Sequence, residues 1–507
     1  MKRGLERWQI LLAAIVIIAG AILRFRLALI NYLNPDEALH VLLSYGTWRD
    51  ALRNSVGVTH PPLLIMINHA ISLFVRSELA FRFVPVAAGI LFPIVLAVWL
   101  RKIAGTAAAL TVLLVLTLAP HLVTISAEVR SYTLAFLFVS LALLTLEVVL
   151  DHDDWKKIAL FSVFLCAAIV SDYSVASFAA GAGIYAIVRL RRSSQTVRIV
   201  WIAGQAAALA LYGVLYWAQV RLLQGRESTT AGGGWLRGAF PQGAERLLLL
   251  VFPFAGTLKQ FAYLMASIPL GVAAVAIFAV AIFRLWKWRA GVDQLKSRPI
   301  ALLLTVPFAV AFLLACASLF PYGRSRHTLV LGVMIAIGLG IFVGNLPSRI
   351  STPLLWGLLV VTPLWLWKAD FDPQEIAPDR YRKQLVLDCV DYMRREIPPG
   401  SLIFTEQETL LILAYYTEVE HLGLSPPGQF SQVKLDGRWR VAFRDYKYLT
   451  PETYGAALRD TRLRYGLGER DPVWVLDGGW DTPSRAADPA RPFTKAIRIF
   501  RDGAGPL

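Results

Sequence analysis

The stretch Asn31-Tyr-Leu-Asn-Pro-Asp-Glu-Ala-Leu-His40 directly follows the first apolar part of the chain, which is nearly all apolar from Trp8 to Leu23. It places two adjacent carboxylates, Asp36 and Glu37, at the point where a predicted membrane helix has just ended. An acid at a membrane is costly unless it is solvated, paired or used for function. Taken alone, the stretch is equally typical of a solvated turn, since Asn34-Pro35 is a turn signal.

The composition around this stretch indicates a membrane protein with many spans. Hydrophobic residues make up 56% of the 507 residues, which exceeds the usual share in soluble proteins. We interpret the net charge of +16 as Lys and Arg in cytoplasmic loops rather than as a nucleic-acid surface. The three cysteines, Cys166, Cys316 and Cys389, are scattered, which excludes a disulfide framework and a cysteine-based zinc site.

Hydropathy predicts about eleven membrane-spanning segments. They lie near 9–30, 80–100, 104–121, 131–150, 156–172, 174–190, 197–219, 262–284, 299–319, 327–345 and 352–368. The first segment follows three basic residues, as in a signal peptide, but no small-residue cleavage site comes after it, so we predict that it is retained. The segment 61–76 is too short to span comfortably, and we predict an interfacial helix there.

Basic residues give the orientation, because cytoplasmic loops carry an excess of Lys and Arg. They concentrate at the N-terminus and in alternate loops as far as Arg349, which places the N-terminus in the cytoplasm. The other loops, including 31–79 and 220–261, and everything after residue 369 then face outward. Arginines kept in these outward loops, among them Arg324 and Arg326, indicate an anionic ligand there or partners for local acids.

Hydropathy falls in the last part of the chain. We predict a transmembrane domain over residues 1–369 and a small α/β domain on the outer face over residues 370–507. Short β-rich runs at 401–405, 473–477 and 496–500 alternate there with helical patterns at 382–396 and 408–416. We see no internal repeat. The Gly-rich stretch Thr229–Trp235 is predicted to be a flexible outer loop, of the kind that forms lids.

The informative polar residues collect in the outward-facing loops. Besides Asp36 and Glu37 they are His60 before Pro61-Pro62, Glu128, Arg130 and Tyr132, Asp172-Tyr173, and the group Arg324, Arg326 and His327. Carboxylates accept a proton from a hydroxyl and arginines hold a phosphate, so this set predicts acid–base chemistry on a membrane-anchored phosphate compound.

Each of these residues also has a structural interpretation. Arg324 and Arg326 are typical of snorkelling anchors at helix ends, and Asp172 is typical of a helix cap. His60 is typical of a turn histidine, and Glu128 and Arg130 of paired charges at a helix end. Their clustering on one side of the membrane is what favours the functional interpretation.

Two further motifs are set aside. Asp151-His-Asp153-Asp154 looks like the metal-binding Asp-x-Asp of nucleotide-sugar enzymes, but it lies in a short cytoplasmic turn beside Lys156 and Lys157. We interpret it as a solvated loop. Gly478-Gly-Trp480-Asp481 is predicted to be a turn after a strand.

As a set, the motifs resemble the polyprenyl-phosphate-dependent glycosyltransferases of the C superfamily (GT-C), which include the protein O-mannosyltransferases and the aminoarabinose transferases of lipid A. The resemblance covers roughly residues 10–345. It rests on Ala21-Ile-Leu-Arg24-Phe followed by Pro35-Asp36-Glu37-Ala38, on His60-Pro61-Pro62-Leu63, on Glu128-Val-Arg130-Ser-Tyr132-Thr-Leu, and on Arg326-His327 before an apolar helix. The C-terminal domain is not matched to a subfamily.

This resemblance implies a polytopic α-helical membrane enzyme that transfers one sugar, with inversion, from a polyprenyl-phosphate donor to a hydroxyl on the outer face. Asp36 would be the general base, Glu37 would orient the acceptor or the base, and Glu128 would assist. Arg130, with Arg324 or Arg326, would neutralise the leaving phosphate. The residues that would line the site are His60, Tyr132, His327, Asp172 and Tyr173.

The same resemblance implies that no metal or other cofactor is required. Asp36, Glu37, His60 and Glu128 could nevertheless bind a divalent ion, as in the oligosaccharyltransferase branch. The predicted partners are the bilayer, the lipid-linked sugar and an acceptor that is a protein, a lipid or a polysaccharide, without nucleic acid. The predicted location is the bacterial inner membrane, with the C-terminal domain in the periplasm.

Other functions remain open at this stage. A lipid or glycan transporter, or flippase, is the main alternative, but transporters place charged or broken segments near mid-membrane and usually show repeats. An oligosaccharide transferase or polymer ligase would need a metal site or a large outer acceptor loop. A non-catalytic scaffold would not need Asp36 and Glu128.

Overall fold

A computed structural model of the chain describes residues 6–56, 58, 60–221, 239–241, 246–287, 292–368, 383–417, 419, 431–444, 451–478 and 498–502. The chain divides into two compact units. The first comprises Met1–Leu27, Leu52–Ile67 and Arg82–Phe371, and the second comprises Ala28–Ala51, Asn68–Phe81 and Asp372–Leu507. The second unit therefore unites the C-terminal domain with two segments that a division near residue 370 would assign to the membrane domain.

The described part of the chain up to residue 368 is almost entirely helical. Its α-helices are α1 (Arg7–Ile30), α2 (Pro35–Leu42), α3 (Trp48–Val56), α4 (Leu63–Ser72), α5 (Glu78–Ala104), α6 (Thr106–Leu118), α7 (Pro120–Ser126), α8 (Tyr132–His152), α9 (Trp155–Ile169), α10 (Val175–Leu190), α11 (Gln195–Leu215), α12 (Arg246–Met265), α13 (Ile268–Trp286), α14 (Gln294–Cys316), α15 (Leu329–Gly344) and α16 (Ser348–Lys368). A π-helical turn, Tyr216–Val220, extends α11, and a 3-10 turn, Arg326–Thr328, precedes α15.

Within the described part of the chain, seven helices are long and apolar enough to cross a membrane, and the bent pair α6–α7 brings the number to eight. The seven are α1, α5, α8, α11 with its π-turn, α13, α14 and α15 with its 3-10 turn. Each of the eleven predicted segments overlaps a helix, but three of them, near 156–172, 174–190 and 352–368, correspond to α9, α10 and α16, which are not among these eight. The protein is a multi-pass α-helical membrane protein.

The region between α11 and α13 differs from the sequence prediction. The predicted outer loop at 220–261 contains most of α12, and the predicted span at 262–284 is interrupted at Ala266 and Ser267. Ala266 has a φ of 48°, and the Ser267 hydroxyl accepts the Leu270 N–H at 3.3 Å as the cap of α13. The stretch Thr229–Trp235 lies outside the described residues.

Small residues let the helices of the first unit approach closely. A Cβ added to Gly340 of α15 would lie 2.8 Å from the Ala108 carbonyl of α6, and one added to Gly344 would lie 2.9 Å from the Ala104 carbonyl. Glycines four residues apart are one of the ways in which membrane helices achieve backbone contact. Helix α15 is thereby packed directly on α6, and its side chains are almost all buried.

The second unit contains a five-stranded sheet in the order β2-β3-β1-β4-β5. The strands are β1 (Leu402–Glu406), β2 (Ser431–Leu435), β3 (Trp439–Arg444), β4 (Val473–Asp477) and β5 (Arg498–Asp502), and the helices are α17 (Lys383–Glu396), α18 (Gln407–Tyr416) and α19 (Pro451–Arg464). β1 pairs in parallel with β3 and β4, whereas β2 and β5 are antiparallel edge strands. Three strands and two helices were predicted, and β2, β3 and α19 were not.

Side chains point alternately to the two faces of the sheet along each strand. Helices cover both faces. Trp439, Val441 and Phe443 of β3 pack with α17 and α18, and Ala442 points to the opposite face with α19. This is the small C-terminal α/β domain that the sequence predicts.

Candidate functional site

The paired carboxylates lie at the start of α2, in the second unit. Asn34 caps this helix: its side-chain oxygen accepts the Glu37 N–H at 3.0 Å, and the Glu37 Oε2 accepts the Asn34 N–H at 3.0 Å. This reciprocal pair is a capping box, which satisfies two backbone N–H groups that the first helical turn leaves open. Pro35 follows as the first helical residue, where its missing N–H costs nothing.

The capping box gives the two acids different environments. Glu37 is 1% exposed and one of its oxygens is held by the cap, whereas Asp36 is half-buried. His40 lies one turn further along α2, and its Nδ1 is 2.7 Å from the backbone carbonyl oxygen of Asp36. Asp36 is therefore the more accessible carboxylate of the pair.

In the first unit, the segment that carries Glu128 and Arg130 follows a broken helix. The axes of α6 and α7 differ by 61°, and Pro120 begins α7. Proline has no N–H to donate to the carbonyl four residues earlier, so the series of helical hydrogen bonds is interrupted there. The carbonyl in question belongs to Leu116.

Arg24 of α1 fills this break. Its guanidinium donates to the Thr117 carbonyl at 2.7 Å, reaches the Leu116 carbonyl at 3.5 Å and donates to the Ser126 hydroxyl at 2.8 Å. Arg24 is 0% exposed. The sequence places Arg24 beyond the apolar core of the first span, and the structure shows that it is the buried group that holds both sides of the α6–α7 bend.

Glu128 and Arg130 come just after this bend and are buried, with 5% and 2% of their surface exposed. The Arg130 guanidinium lies over the Tyr132 ring at 5.5 Å and its Nη2 donates to the Tyr132 hydroxyl at 3.3 Å. That hydroxyl lies 3.2 Å from Nδ1 of His327. Three of the predicted residues thus form one chain of contacts over almost 200 positions of sequence.

Arg326 and Asp172 complete this group. Both lie close enough to act electrostatically on the Tyr132 hydroxyl, and Arg130 acts on Asp172. Burial raises the pKa of Asp172 above its ordinary value, while hydrogen bonds from Ser174 and the charge of Arg130 oppose that shift. We call Arg130, Tyr132, Asp172, Arg326 and His327 the arginine cluster.

The arginine cluster lies where helices begin. Tyr132 is the first residue of α8, and Arg326 and His327 form the turn that opens α15. A small pocket beside His327 is lined by residues of that turn and by Ser174 and Ser177 at the start of α10. Helix N-termini carry a partial positive charge, so they add to the two guanidinium groups in favouring an anion.

Tyr173 and His60 have a different common partner. The Tyr173 hydroxyl donates to the Gln219 side-chain oxygen at 2.5 Å, and the Gln219 amide nitrogen donates to the carbonyls of Ser55 and His60 at 2.9 and 2.6 Å. Gln219 lies in the π-turn that ends α11, and such turns are frequent at functional sites. Arg324 is exposed.

Arg24 and Gln219 were not predicted as site residues. In the sequence each is a single polar residue near the end of an apolar run, and only the structure shows that their partners are about 90 to 160 positions away. Within each unit, and among the residues that the structure describes, no three His, Cys, Asp or Glu side chains come together as a metal-binding group.

Comparisons with known proteins found one family model and several solved structures that are similar to this chain. Residues 59–217 match the family model of the dolichyl-phosphate-mannose-protein mannosyltransferases. The fold is similar to that of ArnT from Cupriavidus metallidurans, solved with undecaprenyl phosphate, with a TM-score of 0.51 and 14% identity over 99% of both chains. An oligosaccharyltransferase from Archaeoglobus fulgidus, solved with a tethered acceptor peptide, has a TM-score of 0.49 and 10% identity over 93% of this chain and 69% of its own. A comparison with curated protein sequences found no match.

Proposed function

We propose that this chain is a membrane glycosyltransferase of the GT-C superfamily and that it transfers a single sugar from a polyprenyl-phosphate donor to a hydroxyl of an acceptor. The matching family model is named for a dolichyl-phosphate sugar donor, and the ArnT structure holds undecaprenyl phosphate. Both lipids are polyprenyl phosphates, which supports a donor of this class.

The arginine cluster is the observation that carries the proposal. Arg130 is 2% exposed in a membrane protein, and Arg326 is the chain neighbour of His327, whose Nδ1 lies 3.2 Å from the same Tyr132 hydroxyl. Buried charges within a membrane protein are expensive and mark ligand or ion sites. Two guanidinium groups beside the N-termini of α8 and α15 form a site that suits a phosphate.

The proposed reaction takes its base, Asp36, from the resemblance to the GT-C glycosyltransferases and its cations from the arginine cluster. The Asp36 carboxylate takes the proton of the acceptor hydroxyl, and the resulting oxygen attacks the anomeric carbon on the face opposite the phosphate. The bond between that carbon and the phosphate oxygen breaks, so the configuration inverts and polyprenyl phosphate leaves. The leaving phosphate needs no proton, because Arg130 and Arg326 stabilise the charge that develops on it.

The remaining predicted residues take supporting roles in this proposal. Glu37 holds the first turn of α2 through the capping box, and in this way it orients its neighbour Asp36. Tyr132 and His327 orient the Arg130 side chain. Glu128 assists from the segment just before Arg130, and Arg324, which is exposed, attracts the anionic headgroup. No metal or other cofactor is part of the proposed reaction.

We place the enzyme in a bacterial inner membrane, with its N-terminus in the cytoplasm and its C-terminal domain in the periplasm. The distribution of Lys and Arg among the loops supports this orientation. It puts the acceptor hydroxyl on the outer face, where a lipid-linked sugar is available and a soluble nucleotide sugar is not.

Undecaprenyl phosphate, which carries the lipid and the phosphate of the proposed donor, serves as the probe that tests the assignment of the arginine cluster to donor binding. Purified full-length protein in nanodiscs is titrated with undecaprenyl phosphate, and Arg130→Gln is compared with Arg221→Gln, an exposed arginine that lies over the Trp217 ring. A charge-assisted hydrogen bond contributes about 1.5–3 kcal/mol, so Arg130→Gln should raise the Kd about tenfold to 100-fold. An Arg130→Gln Kd equal to that of wild type would remove the cluster from donor binding.

A further inference from the structure

The C-terminal helix α18 and the carboxylate helix α2 belong to the same compact unit. The two helices pack directly against each other. Ala38 and Val41 on the buried face of α2 are fully covered, as are Ile412 and Leu410 in α18. The part of the chain that carries Asp36 is therefore built into the C-terminal domain.

Tyr416, the last residue of α18, makes the most specific contact with this segment. Its ring packs on a small apolar cluster of Tyr32, Val386 and Ile412. Tyr32 comes from the connection between α1 and α2, whereas Val386 comes from α17 and Ile412 from α18 itself. The ring is thus anchored by α17 and α18 of the C-terminal domain and reaches the N-terminal segment.

The Tyr416 hydroxyl has two polar partners. It accepts the backbone N–H of Leu33 at 3.2 Å, and it donates to Oε1 of Glu78. The other oxygen of Glu78 is paired with the Lys383 ammonium at the start of α17. Lys383, Glu78, Tyr416 and the Leu33 backbone therefore form a continuous chain of contacts.

This chain of contacts ends at Leu33, one residue before Asn34, which caps α2. Leu33 is 0% exposed, so its N–H has no access to water and depends on protein acceptors. Asn34 comes next and forms the capping box with Glu37, and Asp36 lies between them. The position of the Leu33 amide consequently sets where the first turn of α2, and with it the Asp36 side chain, is placed.

We propose that Tyr416, held by Glu78 and Lys383, is a positioning residue for Asp36, and that the C-terminal domain serves to orient this carboxylate for the acceptor. The inference rests on the proposed function, because it concerns the base of that reaction. It assigns the domain a role in the reaction. Residues 28–51 and 68–81 form one compact unit with residues 372–507, as this role requires.

Tyr416→Phe tests the proposal, since it removes the hydroxyl and keeps the ring in its apolar cluster. Transfer is measured with the full-length protein in nanodiscs, with donor Kd and kcat determined separately. A misplacement of about 1 Å costs up to about 100-fold in rate, so kcat should fall about tenfold to 100-fold with the donor Kd unchanged. Amide exchange of the peptide that contains Leu33 should become about fivefold faster or more, because its N–H loses an acceptor.

The matched control is Tyr465→Phe, which removes a hydroxyl bonded to Gln432 at 2.8 Å in the same domain. It should change neither kcat nor the exchange of the Leu33 peptide. If Tyr416→Phe does not fold, Glu78→Gln takes its place, because it weakens the same chain and should show the same loss of kcat. Equal kcat in Tyr416→Phe and Tyr465→Phe, or a loss that comes only from donor binding, would overturn the positioning role. Wild-type protein that transfers no sugar would instead refute the proposed function.

Discussion

Arg24 offers a test of how the broken helix α6–α7 is held. Replacing it with Met keeps an apolar side chain of similar length and removes every donor to the Thr117 carbonyl and the Ser126 hydroxyl. Ser126 lies two residues before Glu128, so the change should also disturb the segment that leads to Arg130. We expect a loss of both stability and donor binding.

The size of the effect follows from the contacts. Each hydrogen bond from a charged donor contributes about 1.5–3 kcal/mol, so the bonds to Thr117 and Ser126 together contribute about 3–6 kcal/mol. The bond to Gly20 stays within α1, and the Leu116 contact is long at 3.5 Å, so neither is counted. Removing a buried charge offsets part of the loss. We therefore expect Arg24→Met to lower the free energy of unfolding by about 3 kcal/mol.

Arg26→Met is the matched control, because Arg26 lies in the same helix and is exposed. The free energy of unfolding is measured by denaturant titration in mixed micelles, and the Kd for undecaprenyl phosphate is measured in nanodiscs. Arg26→Met should leave both near wild type. The free energies of unfolding of Arg24→Met and Arg26→Met are then compared. If they differ by less than about 0.5 kcal/mol, the size expected for an ordinary surface change, the bend does not depend on Arg24.

Two further predictions concern other buried charges of the first unit. Glu147 is 0% exposed, accepts a hydrogen bond from the Tyr185 hydroxyl, and pairs with Lys296 and, at 3.7 Å, with Arg189. Because Arg189 remains as a partner, Lys296→Met should destabilise the protein by about 1.5–3 kcal/mol, the contribution of one hydrogen bond to a charged group, and adding Glu147→Gln should restore part of that loss. Equal stability of Lys296→Met and wild type in the same denaturant titration would contradict this. Burial raises the pKa of Asp172 above the ordinary 3.8. The contribution of Asp172 to the stability of the folded protein is therefore fully present below pH 3.8 and is lost as the pH rises through the raised pKa. Asp172→Asn should remove this part of the pH dependence of stability, and an unchanged slope would exclude Asp172 as its source.

The membrane helices could be predicted from the sequence because a long apolar run has few alternatives to a helix in a bilayer. Helix α12 was missed because Pro253, Gly256 and Lys259 interrupt its apolar pattern. The edge strand β2, Ser431-Gln-Val-Lys-Leu435, was missed because it is short and contains just two apolar residues, and its backbone is held by pairing with β3. Each failure concerns a segment whose structure is decided by its neighbours.

The candidate residues could be found because they are polar groups at the ends of apolar runs. The sequence could not show which of these residues contact one another in the folded protein. The contact of Tyr132 with His327, and that of Tyr416 with Leu33, join residues about 200 and 380 positions apart. The pattern around Asn34 does contain a capping box, and it distinguishes Glu37 from Asp36, but adjacent carboxylates alone predict equal roles. The buried partners of Arg24 depend on the bend at Pro120, which only the packed structure shows.

Sugar transfer by wild type and Asp36→Asn is the most direct measurement of the central claim. Nanodiscs that contain the full-length protein are supplied with a panel of radiolabelled polyprenyl-phosphate sugars and with acceptor candidates from the membrane fraction. We predict that wild type transfers one of these sugars and that Asp36→Asn binds the donor with unchanged Kd while its turnover is lost. Equal turnover in the two proteins would contradict the role of Asp36, and movement of the lipid across vesicles without any transfer would contradict the proposed reaction.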